Sequence, residues 1–248
     1  MPLIEFYLFA VPAVVILGLA KGGFTGLGAL GLPLFALGVD PIKAAAVLLP
    51  ILIVQDVVSI AAYRRTWDGT VLSSMLPGAA VGVAIGWWFA ASVSVEIVLG
   101  AVGSIAILFG IYRLWVAFGH HTLRARQWPR WTGPIFGMTS GFTSQIAHAG
   151  GPPFQIWVIP QHLSRDIFVG TTAIFFGVLN WIKVPAYLAL GQFTADNLLT
   201  SLVLAPVAIA SSLLGVQLVR RVPPEKFYAA TYALLILTGI KLLLDAIN

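Results

Sequence analysis

Two glycine-rich segments, each set in apolar sequence, carry the residue types best suited to binding an anion. The first reads KGGFTGLGALGLP (residues 21–33) and the second reads SGFTSQIAHAGGPP (residues 140–153). Glycine is a poor helix former and lets the backbone break and approach a ligand closely. A helix that begins after such a break has free N–H groups and the positive end of its dipole at the break. We therefore predict an anion-binding site where the two segments meet.

Polar side chains in and near these segments could contact the same ligand. Lys21 would attract an anion as a point charge, and hydroxyl and amide groups would donate hydrogen bonds to it. The predicted substrate-binding residues are Lys21, Gly22, Gly23, Thr25, Gln55, Thr143, Ser144, Gln145, His148, Gly150, Gly151 and Asn180.

Asp56 and His148 are the candidates for proton coupling, because an ionisable residue within the membrane is a functional hypothesis by default. Structural alternatives remain open. Asp56 could form an ion pair with Lys183, the stem of Lys21 could snorkel to the interface, and the hydroxyls could bond back to helical carbonyls. Arg113, near the end of an apolar span, is interpreted as an anchor. The glycines could serve only the close packing of helices.

The composition indicates a membrane protein. Of 248 residues, 59% are hydrophobic and 9% are charged, whereas a soluble domain needs about a quarter charged residues to wet its surface. The stretches Gly69–Val95 and Asn197–Val219 have no charged residue and are long enough to cross a hydrocarbon core of about 30 Å. There is no cysteine, HExxH motif or acidic cluster, so we predict no metal, no cofactor and no enzymatic activity. The sparse basic residues flank the spans, which argues against nucleic-acid binding.

The sequence repeats itself in two halves, 1–118 and 131–248, joined by a basic linker, 119–130. LPGAAVGVAIG in the first half resembles APVAIASSLLG in the second, and GFT recurs in the two glycine segments. Each half therefore has the same plan, a glycine-broken helix pair, re-entrant or partial, followed by three long transmembrane helices. The fold class is an all-α polytopic membrane protein.

The basic residues predict that the second half is inverted. They flank the loop 63–68 in the first half, whereas the equivalent loop 191–197 has none, and Arg220 and Arg221 lie at the opposite end of the next span. If positive charge marks the cytoplasm, the halves have opposite orientations and both termini lie outside. A parallel repeat remains the alternative. Inverted repeats are a common transporter plan, with the ligand site at the midplane between the halves.

This plan, with a glycine-rich stretch and proline in each half, resembles the sulfite exporter TauE/SafE family, also called the 4-toluene sulfonate uptake permease family. The resemblance implies a multi-pass transporter of the bacterial inner membrane for sulfite or organosulfonates such as sulfoacetate, with export as the expected direction. The alternatives are an anion channel and a permease for another small organic anion. The expected partners are the anion and membrane lipids. Protons as coupling ion and a homo-oligomer are left open.

Overall fold

In a computed structural model the chain is all-helical, as the sequence predicts, over the residues that the structure describes: 3–24, 27–118, 128–219 and 225–247. Short 3-10 helices lie at Leu27–Leu30, Arg130–Thr132 and Ile159–Gln161. The α-helices in these ranges are α1 (Leu3–Lys21), α2 (Gly31–Ala36), α3 (Pro41–Tyr63), α4 (Gly69–Ser92), α5 (Val95–Phe118), α6 (Gly133–Ala147), α7 (Gly151–Val158), α8 (Arg165–Ala189), α9 (Ala195–Leu218) and α10 (Glu225–Ile247).

Local sequence explains where the long helices begin. The Asp40 carboxylate accepts hydrogen bonds from two backbone N–H groups of the first turn of α3, and Pro41 occupies its first position. Asp68 caps α4 in the same way, and Thr194 caps α9. Five helices of the described part, α3, α4, α5, α8 and α9, are long and apolar enough to cross a membrane.

The helical chain breaks at both glycine segments. After Lys21 it turns back, so that Gly31 and Gly38 lie against Leu17 and Phe9 of α1. In the second half α6 has 15 residues and α7 has 8, and they also run antiparallel, with Gly133 against the Trp157 ring. Each of α6 and α7 is shorter than the ~20 residues that span a hydrocarbon core.

Among the helix pairs that join residues 3–118 to residues 128–247 are α1 with α9, α3 with α8, α4 with α6 and α5 with α10. In α1 with α9, Gly18 lies against Ser211 and Gly22 against Gly215, so these helices run parallel. Helices α4 and α6 also run parallel, because residues later in α4 contact residues later in α6. A Cβ on Gly82 would collide with backbone atoms of α6. Such close approach is possible because small residues line the interface.

The other two pairs join helices that the predicted repeat makes equivalent. In α3 with α8, Asp56 contacts Asn180 and Ile60 lies against Gly177, so the helices run antiparallel. In α5 with α10, Gly103 lies against Gly239 and Gly110 lies against Ile236, which is again antiparallel. The helices of these pairs surround the interior of the protein, where the broken helices end.

Candidate functional site

A cavity of about 80 Å³ lies where the broken helix pairs meet α3, α5 and α8. We call it the central cavity. Apolar side chains form much of its wall, among them Leu17, Leu52, Phe109, Val169 and Phe176. The polar side chains that line it belong to Lys21, Ser144, His148, Gln155, Thr172 and Asn180, and Gly28 and Gly151 also line it. A largely apolar pocket with a few convergent polar groups is typical of a site for a small molecule.

One polar cluster joins both halves at Asp56 of α3. The Lys21 ammonium lies 2.5 Å from Asp56 Oδ1, and Asn180 Nδ2 donates to Asp56 Oδ2 at 2.6 Å. Lys21 also lies over the Phe176 ring, 5.4 Å from its centroid. The ion pair of Asp56 is therefore with Lys21 and not with Lys183, and the Lys21 side chain points into the protein instead of snorkelling. Lys21 pairs with Asp56 because the end of α1 packs against α3, and the spacing of residues in the sequence does not reveal this packing.

A second polar cluster surrounds Lys183 of α8. Its ammonium donates to His148 Nδ1 at 2.7 Å and lies 3.3 Å from both the carbonyl and the hydroxyl oxygen of Ser144. Lys183 is fully buried, and no carboxylate in the described part of the chain lies within ion-pair distance of it. Because the Ser144 hydroxyl accepts from Lys183, its own proton is free to be donated toward the central cavity.

The contact with Lys183 bears on the proton position on His148. A protonated lysine can only donate, so opposite it Nδ1 would be the acceptor and the ring proton of the neutral tautomer would lie on Nε2. Nε2 then donates to the Ala45 carbonyl oxygen, 3.1 Å away. His148 ends α6 in a left-handed conformation with φ of 49°, which is uncommon for a residue with a side chain and directs the ring toward α3 and α8.

A second, smaller cavity lies beyond His148, lined among others by Ala45, Gln145 and Tyr187. The Tyr187 hydroxyl lies 3.3 Å from His148 Nε2 and 3.5 Å from the Gln145 carbonyl oxygen. His148 lines the central cavity, while Tyr187 and Ala45 line the second one. The contact of His148 with Tyr187 and Ala45 therefore separates the two cavities.

The structure brings five of the residues named from the sequence to the central cavity: Lys21, Ser144, His148, Gly151 and Asn180. Gly22 and Gly23 lie instead against α9. Their N–H groups donate to the carbonyls of Gly18 and Ala20, so these amides already have partners in the chain. Gly23 has a φ of 131°, a conformation that favours glycine, and thereby serves the turn after α1.

The remaining candidates lie around the cavity or outside the described residues. The Thr143 hydroxyl bonds back to helical carbonyls, and the Gly150 carbonyl accepts from Ser140. Gln55 donates to the Val14 carbonyl oxygen, while its buried Oε1, like that of Gln145, has no hydrogen-bond partner in the described part of the chain. Thr25 and most of the linker 119–130 lie outside the described residues.

Sequence reasoning missed four polar residues of this region. Gln155 and Thr172 line the central cavity, and Tyr187 contacts His148. Arg113, interpreted as an anchor, contacts Gln155 and Tyr232 inside the bundle. Gln155 could have been found from its position four residues after Gly151, because that spacing places both on one face of a helix.

Comparison with known proteins points to a single family. The profile described as "Sulfite exporter TauE/SafE" matches residues 10–242 of the chain. A relative from Comamonas testosteroni, named "Probable inner membrane transporter protein TsaS", is 28% identical over 179 residues, which cover 69% of this chain and 70% of the relative. No solved structure gives a significant match.

Proposed function

Because this chain belongs to the sulfite exporter TauE/SafE family, we propose that it is a secondary transporter that carries small sulfur-containing anions, sulfite or organosulfonates such as sulfoacetate. The family is one of membrane transporters and not of enzymes. The name of the Comamonas relative supports placement in the inner membrane. Export is the direction that the family description favours.

The observation that carries this proposal is the buried side-chain nitrogen of Lys183, which contacts Ser144 and His148. A buried cation is costly unless an opposite charge or hydrogen bonds compensate it. Asp56 is already paired with Lys21, and in the described part of the chain Lys183 has no carboxylate partner. Lys183 lies behind Ser144 and His148, which line the central cavity, so an anion bound against these two residues would offset the positive charge of a protonated Lys183.

Hydrogen-bond donors converge on the place where that anion would lie. The Ser144 hydroxyl has its proton free, and Asn180 uses its amide nitrogen on Asp56 but carries two hydrogens. In the first turn of α7, Pro152 and Pro153 have no N–H, so Gly151 supplies the backbone donor at the helix N-terminus. These neutral donors suit an oxyanion with several acceptor oxygens.

Transport would proceed by movement of the two halves as inverted repeats about this site. The antiparallel contacts of α3 with α8 and of α5 with α10 support inversion, since equivalent helices of parallel repeats would run in the same direction. Passage between the two cavities requires the His148–Tyr187 contact to open. Tyr187→Phe, which removes one side of that barrier, should speed efflux of preloaded anion at unchanged affinity; an unaltered rate would argue against the barrier.

Asp56 and His148 remain the candidates for proton coupling. Asp56 contacts the cavity-lining Lys21 and Asn180, and His148 lines the cavity itself. A proton gained or lost at either residue would change the charge that the anion meets.

Thermal stabilisation of the detergent-purified protein tests the proposed function directly. Sulfite, sulfate, thiosulfate, sulfoacetate, taurine, acetate and chloride would be compared. A ligand at about 100 times its Kd adds about 2.7 kcal/mol to the free energy of unfolding. Selective stabilisation by a sulfur anion is expected. Stabilisation by acetate alone would favour a permease for another organic anion, and flux without saturation or counterflow would favour a channel.

A further inference from the structure

We propose that Gln155 is a further substrate-binding residue of the central cavity and that Arg113 is the positioning residue that orients its amide. The inference rests on the proposed transport function and adds to it a specific donor for the anion.

Arg113 of α5 reaches two other helices at once. Its Nε donates to the Tyr232 hydroxyl of α10 at 2.9 Å, and its Nη1 donates to Gln155 Oε1 of α7 at 3.2 Å. The guanidinium carbon lies 5.1 Å from the centroid of the Tyr232 ring. The planar group is thus held on one side by Tyr232, which leaves its other edge directed at Gln155.

This contact determines which way the Gln155 amide points. A guanidinium has only donors, so the atom that faces Arg113 must be the carbonyl oxygen of the amide. The Nε2 group then points away from Arg113. Gln155 is 5% exposed and lines the central cavity, and Nε2 has no hydrogen-bond partner in the described part of the chain. Nε2 is thus a donor on the cavity wall that no group of the described residues uses, so a ligand in the cavity can accept from it.

The Nε2 group lies beside the N-terminus of α7. It is 3.5 Å from the position that a Cβ on Gly151 would occupy, so it stands next to the backbone donor of that residue. Two adjacent donors, one from the side chain and one from the helix end, match two oxygens of one sulfite or sulfonate group. A chloride ion, which is a single acceptor atom, would gain less from the pair. Gln155 therefore contributes to the choice of oxyanions over halides.

The test compares the affinity of the best-stabilising sulfur anion for wild type and Gln155→Met, a variant of similar length without a donor. We expect Kd to rise about tenfold or more, since a hydrogen bond to a charged group is lost. Gln161→Met is the matched control, because the Gln161 amide donates to the Trp157 carbonyl oxygen and Gln161 does not line the cavity. If Gln155→Met does not fold, Gln155→Glu takes its place, since it keeps the Arg113 contact and replaces the donor by an acceptor.

A double-mutant cycle tests the positioning role of Arg113. Arg113→Met should raise Kd in the wild-type background but leave it nearly unchanged in the Gln155→Met background, and Arg113→Lys should restore only part of the affinity. Purely additive effects would overturn the positioning role, because they would show that Arg113 does not act through Gln155. Wild-type affinity in Gln155→Met would overturn the inference alone, whereas a wild type stabilised by no sulfur anion would overturn the proposed function.

Discussion

Replacing Lys183 by methionine should remove most of the affinity for the anion while preserving the fold. Methionine matches the length of the lysine stem but carries no charge. Nζ lies 3.3 Å from Ser144 Oγ, and an anion oxygen that accepts from this hydroxyl would lie ~2.7 Å beyond it. The anion would therefore lie within about 6 Å of the ammonium.

At that separation and an effective dielectric constant of about 20, two unit charges attract by about 2.8 kcal/mol. That energy corresponds to a rise in Kd of roughly 100-fold for Lys183→Met. The stability of the ligand-free protein should change little. His148 Nδ1 loses its donor, at a cost of about 1–3 kcal/mol, but the burial of a cation without a carboxylate partner is also removed.

Thermal unfolding at increasing anion concentrations measures both the stability and Kd. The unfolding temperature of the ligand-free protein reports the stability, and the rise of that temperature with anion concentration reports Kd. Lys241→Met is the matched control. It makes the same change on α10, where the exposed Lys241 pairs with Asp245 at 2.6 Å. A Lys183→Met protein with wild-type affinity would refute the reasoning, because the excess charge would then have no role in binding.

Three other predictions concern coupling, packing and orientation. Asp56→Asn should make flux independent of pH if Asp56 carries the coupled proton; an unchanged pH profile in liposomes would exclude that role. Gly82→Ala should destabilise the protein by about 1–3 kcal/mol in thermal unfolding, because its Cβ meets α6 backbone, whereas Gly100→Ala, with its nearest neighbour at 3.9 Å, should be nearly neutral. Because the chain has no cysteine, Arg65→Cys and Ala195→Cys should react with impermeant reagent from opposite membrane sides if the repeats are inverted; labelling from one side would indicate parallel repeats.

Part of the candidate site could be predicted from local sequence. Ser144, His148 and Gly151 lie within one glycine-rich segment. Burial of this segment in the interior therefore places all three at the same cavity. Lys21 reaches the cavity for the same reason in the first segment. Gly22 was expected beside the ligand, but its lack of a side chain serves the close approach to Gly215 instead. Both roles need glycine, and the sequence does not distinguish them.

The sequence alone predicted the all-helical class of a membrane protein and the positions of the helix breaks. These follow from hydropathy and backbone propensity, which act over a few neighbouring residues. The contacts of Asp56 with Lys21, of Lys183 with His148 and of Arg113 with Gln155 became visible only in the tertiary structure. Each of these contacts joins helices far apart in the chain, and its partner depends on helix rotation and packing distance, which no local pattern encodes.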